Sequence, residues 1–146
     1  MRRALRVGVV LLLALGVYST PAFGQSDPPR RERSQLRQNY PNPFNPVTTI
    51  PFELLPSDFE DGQYAKVSIT IFNILRQPVA VPTALNHPAG NGAEVRNLEY
   101  YSPGTYEAYW DGTDRRGNKV ASGVYYARLV INGQPVDKPL TMVVAK

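Results

Sequence analysis

"TYEAYWDGTDRRGNKVASGVYYARLVINGQ" (residues 105–134) holds two apolar runs and two turns, and its reading decides the fold. In the first run Tyr106, Ala108 and Trp110 alternate with Thr105, Glu107 and Tyr109. A period of two places one set of side chains on one face of a strand, so Tyr106 and Trp110 are expected as core anchors. "DGTDRRGN" then supplies turn chemistry in which Gly112, Gly117 and Asn118 can take positive φ at low cost. Asp111, Asp114 and Asn118 lie at spacings that suggest calcium, but no glutamate closes the loop as such a site requires, and no metal is expected. "SGVYYARLVI" is the second run, with Gly123 permitting close strand approach or a bulge. "NGQ" after Ile131 is a tight hairpin signal.

The same grammar extends outward. "AKVSITIF" alternates Val67, Ile69 and Ile71 with Lys66, Ser68 and Thr70, and Ile69 and Ile71 join the expected core. "NILRQ" is a turn, "PVAV" a brief strand, and "LTMVVA" a final one. "TTIPFEL" puts Ile50, Phe52 and Leu54 on one face, and Pro51, which has no N–H to donate, places that strand at a sheet edge. No run of helical period competes. Six or seven short strands with regular turns indicate an all-β antiparallel sandwich. Residues 82–104, rich in Gly, Pro and Asn, break the rhythm. They hold either one more short strand around "AEVRNL", at an edge with a decorated loop, or one long ordered loop of the kind that often carries function.

"QNYPNPFNP" (38–46) packs three prolines and three asparagines around Tyr40 and Phe44. Proline fixes φ, and the residue before it is pushed toward extended backbone. Asparagine side chains close turns onto the backbone two residues on. The stretch reads as a rigid entry to the domain, pinned by its two aromatic rings, with Phe44 buried.

Residues 1–24 read as a secretory signal peptide. Arg2, Arg3 and Arg6 precede an uncharged run from Val7 to Val17, and Ala22 and Gly24 supply the small residues a signal peptidase reads. That run falls short of the roughly 20 residues a spanning helix needs. Residues 25–37 form a polar linker and 38–146 the domain, so no membrane span is expected in the mature form. With no cysteine, disulfides, thiol chemistry and lipoprotein anchoring are excluded, and the core alone must hold the domain. The net charge of +4 arises in the first 37 residues, where seven arginines face two acids. From Gln38 onward nine Lys/Arg face ten Asp/Glu, so no basic face is expected to track a phosphate backbone, and nucleic acid is not an expected partner.

"LRQNYPNPFNPVTTIPFEL", "VSITIFNILRQPV", "YWDGTDRRGNKVASGVYYARL" and the terminal lysine, in that order, resemble the C-terminal sorting domains (type A) of type IX secretion cargo. They also resemble the related Ig-like domain of flagellar hook-cap proteins. The resemblance covers essentially all of the chain after the linker. It implies a seven-stranded Ig-like fold, no catalysis and no cofactor. It further implies export to the periplasm, then recognition by an outer-membrane translocon and release to the outer surface or medium. Asn42, Pro43, Phe44, Asn45 and Lys146 are the residues expected to be recognised. Three positions depart from the family pattern: Arg76 stands where members often carry glycine, Pro51 where they often carry a polar residue, and the 82–104 segment is longer. A sorting domain normally trails a cargo domain. Here the sandwich follows the linker directly, so it is either the working product or a relic separated from its cargo.

Other functions leave weaker traces. His87 is the only histidine and lies in a Pro/Gly-rich loop with Ser102 as a conceivable neighbour. Nothing fixes the further partners a nucleophile needs, and His87 reads as a surface residue. Glu60 and Asp61 read as a solvated loop. A structural or adaptor subunit would use an exposed edge strand, 48–54, to pair with a cell-surface neighbour. A carbohydrate-binding module would rest on surface tyrosines, Tyr100, Tyr101 and Tyr109.

Overall fold

Alternation translates directly into burial along the long strands. In the computed structural model, which describes residues 32–59, 62–136 and 138–146, Val67, Ile69 and Ile71 are fully buried while Lys66 is exposed. The expected signal peptide with its cleavage point, residues 25–31 of the linker and the Glu60-Asp61 pair lie outside the described residues.

The strands are β1 (Gln35–Leu36), β2 (Thr48–Leu54), β3 (Ala65–Phe72), β4 (Pro78–Ala80) and β5 (Thr83–Leu85). They continue as β6 (Leu98–Tyr100), β7 (Gly104–Trp110), β8 (Gly123–Ile131), β9 (Gln134–Pro135) and β10 (Leu140–Val144). One sheet runs β1-β2-β7-β5. The other runs β10-β8-β3-β4, with β6 added beside β3 and β9 beside β8. Every strand pair is antiparallel. The two sheets form the expected all-β, Ig-like sandwich. No helix among the described residues is long and apolar enough to cross a membrane.

Ile50, Phe52 and Leu54 of β2 and Ala108 and Trp110 of β7 pack against Val67, Ile69 and Ile71 of β3 and Tyr125, Ala127 and Leu129 of β8. Each large aliphatic buried this way contributes about 1.5–3 kcal/mol. Tyr106 sits at the margin of this core, half-buried, stacked on Phe52 at 5.8 Å, with its hydroxyl donating to the Ser102 carbonyl at 2.6 Å. The "NG" hairpin forms as expected, with Asn132 at φ 51 and Gly133 at φ 78 joining β8 to β9. Asn118 is not among the positive-φ residues; in its turn Gly112 and Gly117 take that role. Arg76 adopts φ 59, so the turn keeps the left-handed position that glycine would fill without strain.

Several expectations are corrected. β2 is not an edge strand. Gln35 and Leu36 pair with Glu53 and Phe52, the Arg37 amide donates to the Pro51 carbonyl at 2.8 Å, and Tyr40 and Thr49 exchange two backbone bonds at 2.9 Å. An antiparallel residue turns its N–H and C=O to the same neighbour, so Pro51 is opposite Glu107 of β7 but directs its missing donor away from it. Residues 35–40 cover the side of β2 on which a partner strand was expected to add. The ordered sheet thus begins inside the polar segment before Gln38. There Ser34 is buried, donates to Asp58 Oδ2 and accepts the Leu55 amide at 3.1 Å.

Residues 82–104 are neither one loop nor one strand around "AEVRNL". They provide β5 and β6, linked by a strap centred on fully buried Val95, whose N–H donates to Pro82 O and whose carbonyl accepts from Ile69 N, both at 2.9 Å. His87 is not on the surface: it is 8% exposed. Its Nδ1 accepts the Ala89 amide at 3.0 Å and its Nε2 donates to the Glu99 carbonyl at 2.8 Å. Its ring packs edge-on against Tyr100 at 4.7 Å. Tyr100, expected as a surface tyrosine, is 2% exposed, wedged among His87, Phe52 and Tyr106.

The Tyr100 hydroxyl is buried and has no hydrogen-bond partner among the described residues. A buried unpaired hydroxyl costs about 1–3 kcal/mol, so Tyr100→Phe is expected to hold or raise the melting temperature at neutral pH. Burial, with the nearby Tyr106 adding to it, pushes the Tyr100 phenol well above its ordinary range. An acid whose folded pKa is raised binds more protons folded than unfolded once pH passes the unfolded value near 10. Stability therefore falls as pH climbs above about 10, and Tyr100→Phe should lose less than wild type there. Thermal melts across that window check both; a variant less stable by 1 kcal/mol or more at neutral pH overturns the reading.

Candidate recognition surface

Three segments far apart in sequence meet at one end of the sandwich: the opening motif 38–46, the 111–122 connection from β7 to β8, and the last residues of β10. The registers place them there, with Thr48 opposite Trp110 and Val144 opposite Gly123.

The opening motif is fixed by polar bonds at its base. Buried Asn39 donates through Nδ2 to Thr48 Oγ1 at 2.9 Å and to the Pro41 carbonyl at 3.2 Å. Thr48 Oγ1 donates to the same carbonyl at 3.0 Å. This knot was not singled out in the sequence, although an asparagine just ahead of a proline turn is where side-chain-to-backbone closure is to be looked for. The Tyr40-Pro41, Asn42-Pro43 and Asn45-Pro46 bonds are cis. Tyr40 does not pin the motif by burial. Its ring is 51% exposed and its hydroxyl donates to Glu107.

Phe44 does the apolar work. It is 1% exposed, with its ring 5.4 Å from that of Trp110, which packs in turn 5.5 Å from Tyr125. Its backbone runs parallel to β10: Phe44 N–H donates to Val143 O at 2.9 Å and Phe44 O accepts from Ala145 N at 3.0 Å. Asn42 Oδ1 accepts the Val143 amide at 3.0 Å. Of the five expected recognition residues, Asn42 and Phe44 are thus engaged with the final strand, and Pro43 and Asn45 are exposed between and beside them. Lys146 is exposed and joins Asn45 in lining a recess of about 280 Å³ with Pro46, Gly112, Lys119 and Val144. The structure brings all five to one locality.

The 111–122 connection supports this locality from below. Trp110 Nε1 donates to Thr113 O at 2.9 Å, and Asp111 Oδ1 accepts from Thr113 N at 2.9 Å. Asp114 Oδ1 accepts the Asn118 and Arg116 amides at 2.9 and 2.8 Å. Those bonds, the Asn118 amide first, hold the Asp114 carboxyl below the usual carboxylate range. These two carboxylates order the turn's own backbone. Gly112, at φ +74, lies so close to the opening motif that a Cβ on it would meet Pro46 O at 2.3 Å, whereas one on Gly117, at φ +82, would meet nothing within 4 Å.

That contrast separates backbone strain from packing. Gly117→Ala should cost about 1–2 kcal/mol, the left-handed penalty alone. Gly112→Ala carries the same penalty plus displacement of the opening motif, and is expected to cost at least about 1 kcal/mol more. Denaturant melts of the two variants check it; equal losses would mean that Pro46 yields freely.

No family model matches the chain, and no curated protein matches it. Among solved structures, the chain is similar to part of the crystal structure of dimeric latent PorU from Porphyromonas gingivalis, with a TM-score of 0.54 and 21% sequence identity. The match covers 77% of this chain and 9% of that one, so this chain spans under a tenth of the protein it matches. At that identity the likeness establishes a shared fold.

Proposed function

We propose that the domain is a type IX sorting or surface-attachment module that acts by protein–protein recognition and not by catalysis. The observation that carries this is the docking of Asn42 and Phe44 along the end of β10, which gathers the exposed Asn42, Pro43, Asn45 and Lys146 at one locality over the buried Phe44 ring. Similarity to part of PorU, a type IX secretion protein, supports a related all-β domain. The partner in this reading is the outer-membrane translocon or a cell-surface protein, reached after export through the periplasm. A non-catalytic role is supported by His87, whose two ring nitrogens are taken up by backbone groups, and by Ser102, whose hydroxyl bonds Tyr106 at 3.0 Å.

Pro43, Asn45 and Lys146 are exposed, so Pro43→Ala, Asn45→Ala and Lys146→Ala remove surface chemistry with little apolar area. In a host with a type IX translocon, variants that melt with the wild type should reach the surface or medium at several-fold lower abundance and accumulate in the periplasm. Wild-type protein in a strain lacking the translocon should do the same. Equal export in all of these overturns the sorting role.

A further inference from the structure

The near-neutral total from Gln38 onward conceals an uneven distribution of charge. Arg76, Arg115, Arg116, Lys119 and Lys146 all lie at the end of the sandwich formed by the 73–77 turn, the 111–122 connection and the end of β10. These are five of the nine cations in that stretch, accompanied there by two of its ten acids, Asp111 and Asp114, while Glu94, paired to Arg96, lines the adjoining groove beside Arg115. Asp111 and Asp114 bond backbone amides of their own turn. The five cations are exposed, and none makes an ion pair among the described residues.

At the same end stand two of the most exposed large apolar side chains, Ile74 at 67% and Leu75 at 72%. They occupy the tip of the β3–β4 turn, which is rigidly built. Asn73 Oδ1 accepts the Leu75 and Gln77 amides, both at 3.0 Å. Asn73 Nδ2 donates to Gln77 Oε1 at 2.9 Å, and the Arg76 amide donates to Asn73 O at 2.9 Å. The basic connection lies alongside: Arg115 N donates to Val79 O of β4 at 3.1 Å, and one groove is lined by Asn73 and Gln77 together with Arg115, Arg116 and Lys119.

From this arrangement we infer that this end of the domain docks on an anionic phospholipid surface. Ile74 and Leu75 enter the acyl boundary, and Arg76, Arg115, Arg116 and Lys119 meet phosphate headgroups. The chemistry matches on both counts. A bilayer interface offers an apolar layer directly beneath dispersed negative charge, and stable peripheral binding takes both an apolar and a polybasic signal. The occupant fits a convex two-residue tip with separate flexible cations. An acidic protein partner would need a complementary cavity for the tip. A pre-built turn loses little conformational freedom on insertion. This inference goes beyond the sorting reading and does not depend on it.

The test uses the full chain. Its first 24 residues, with three arginines and an apolar run, can bind anionic vesicles by themselves, so the readout is placed at the tip. In Leu75→Trp the introduced ring is the only exposed indole among the described residues, since Trp110 is 2% exposed. With vesicles of phosphatidylcholine and phosphatidylglycerol carrying brominated chains, its emission should be quenched. With phosphatidylcholine alone it should not. In the Leu75→Trp background, Arg115→Glu with Arg116→Glu should raise the lipid concentration for half-maximal quenching at least about tenfold, and high salt should do likewise. Chain that sediments with mixed vesicles while the introduced tryptophan stays unquenched overturns the inference. So does equal quenching with phosphatidylcholine alone, or no effect of the charge reversals. Binding to soluble polyglutamate without quenching by mixed vesicles would make this end an acidic-protein site and overturn it equally.

Discussion

Phe44 holds the two sheets together at the open side of the sandwich. Its segment continues into β2 of one sheet, its ring packs on Trp110 of β7 in that sheet, and its backbone bonds to β10 of the other. The contact combines about the burial of a full aromatic side chain with two backbone hydrogen bonds. The residues around it make that contact possible. Asn39 and Thr48 fix where the motif turns, and the bare Cα of Gly112 lets Pro46 approach. Candidate recognition residues are therefore held in place by the same contact that closes the core, so chemistry on the surface is tied to packing beneath it.

Much of the fold could be read from the sequence because period-two alternation is a direct image of burial. β2, β3 and β7 announced themselves that way, β8 and β10 as apolar runs bounded by turn signals, and "NG" announced its hairpin. The short strands β1, β5, β6 and β9, two or three residues each, carry no period to read. They form because a longer neighbour presents unpaired backbone groups. Pro51 misled for a related reason: a missing donor marks one side of one residue, not a whole strand, and that side is where residues 35–40 lie. His87 and Tyr100 sit in a segment of loop composition, and their burial follows from packing against β2 and β7 partners distant in sequence.

The candidate surface was legible in part. Phe44, Asn42 and Lys146 were marked by the proline-asparagine pattern and the family resemblance, and the structure brings them together. What could not be read was the difference between Gly112 and Gly117, two turn glycines of the same backbone hand. Only one of them faces another chain segment. Nor could charge counting find the cationic end, because a sum over residues is blind to where strands deliver them.

Val95 has a consequence in mechanical terms. Its amide is bonded to Pro82 beside β5 in one sheet, and its carbonyl to Ile69 of β3 in the other. For one sheet to slide over the other, at least one of those bonds must break, and a fully buried side chain must leave its seat. Phe44 imposes the same condition across the opposite side of the sandwich. Under shear the two layers are thus laced along both margins and resist as one block. A load that slides one sheet along the other is therefore met at both margins.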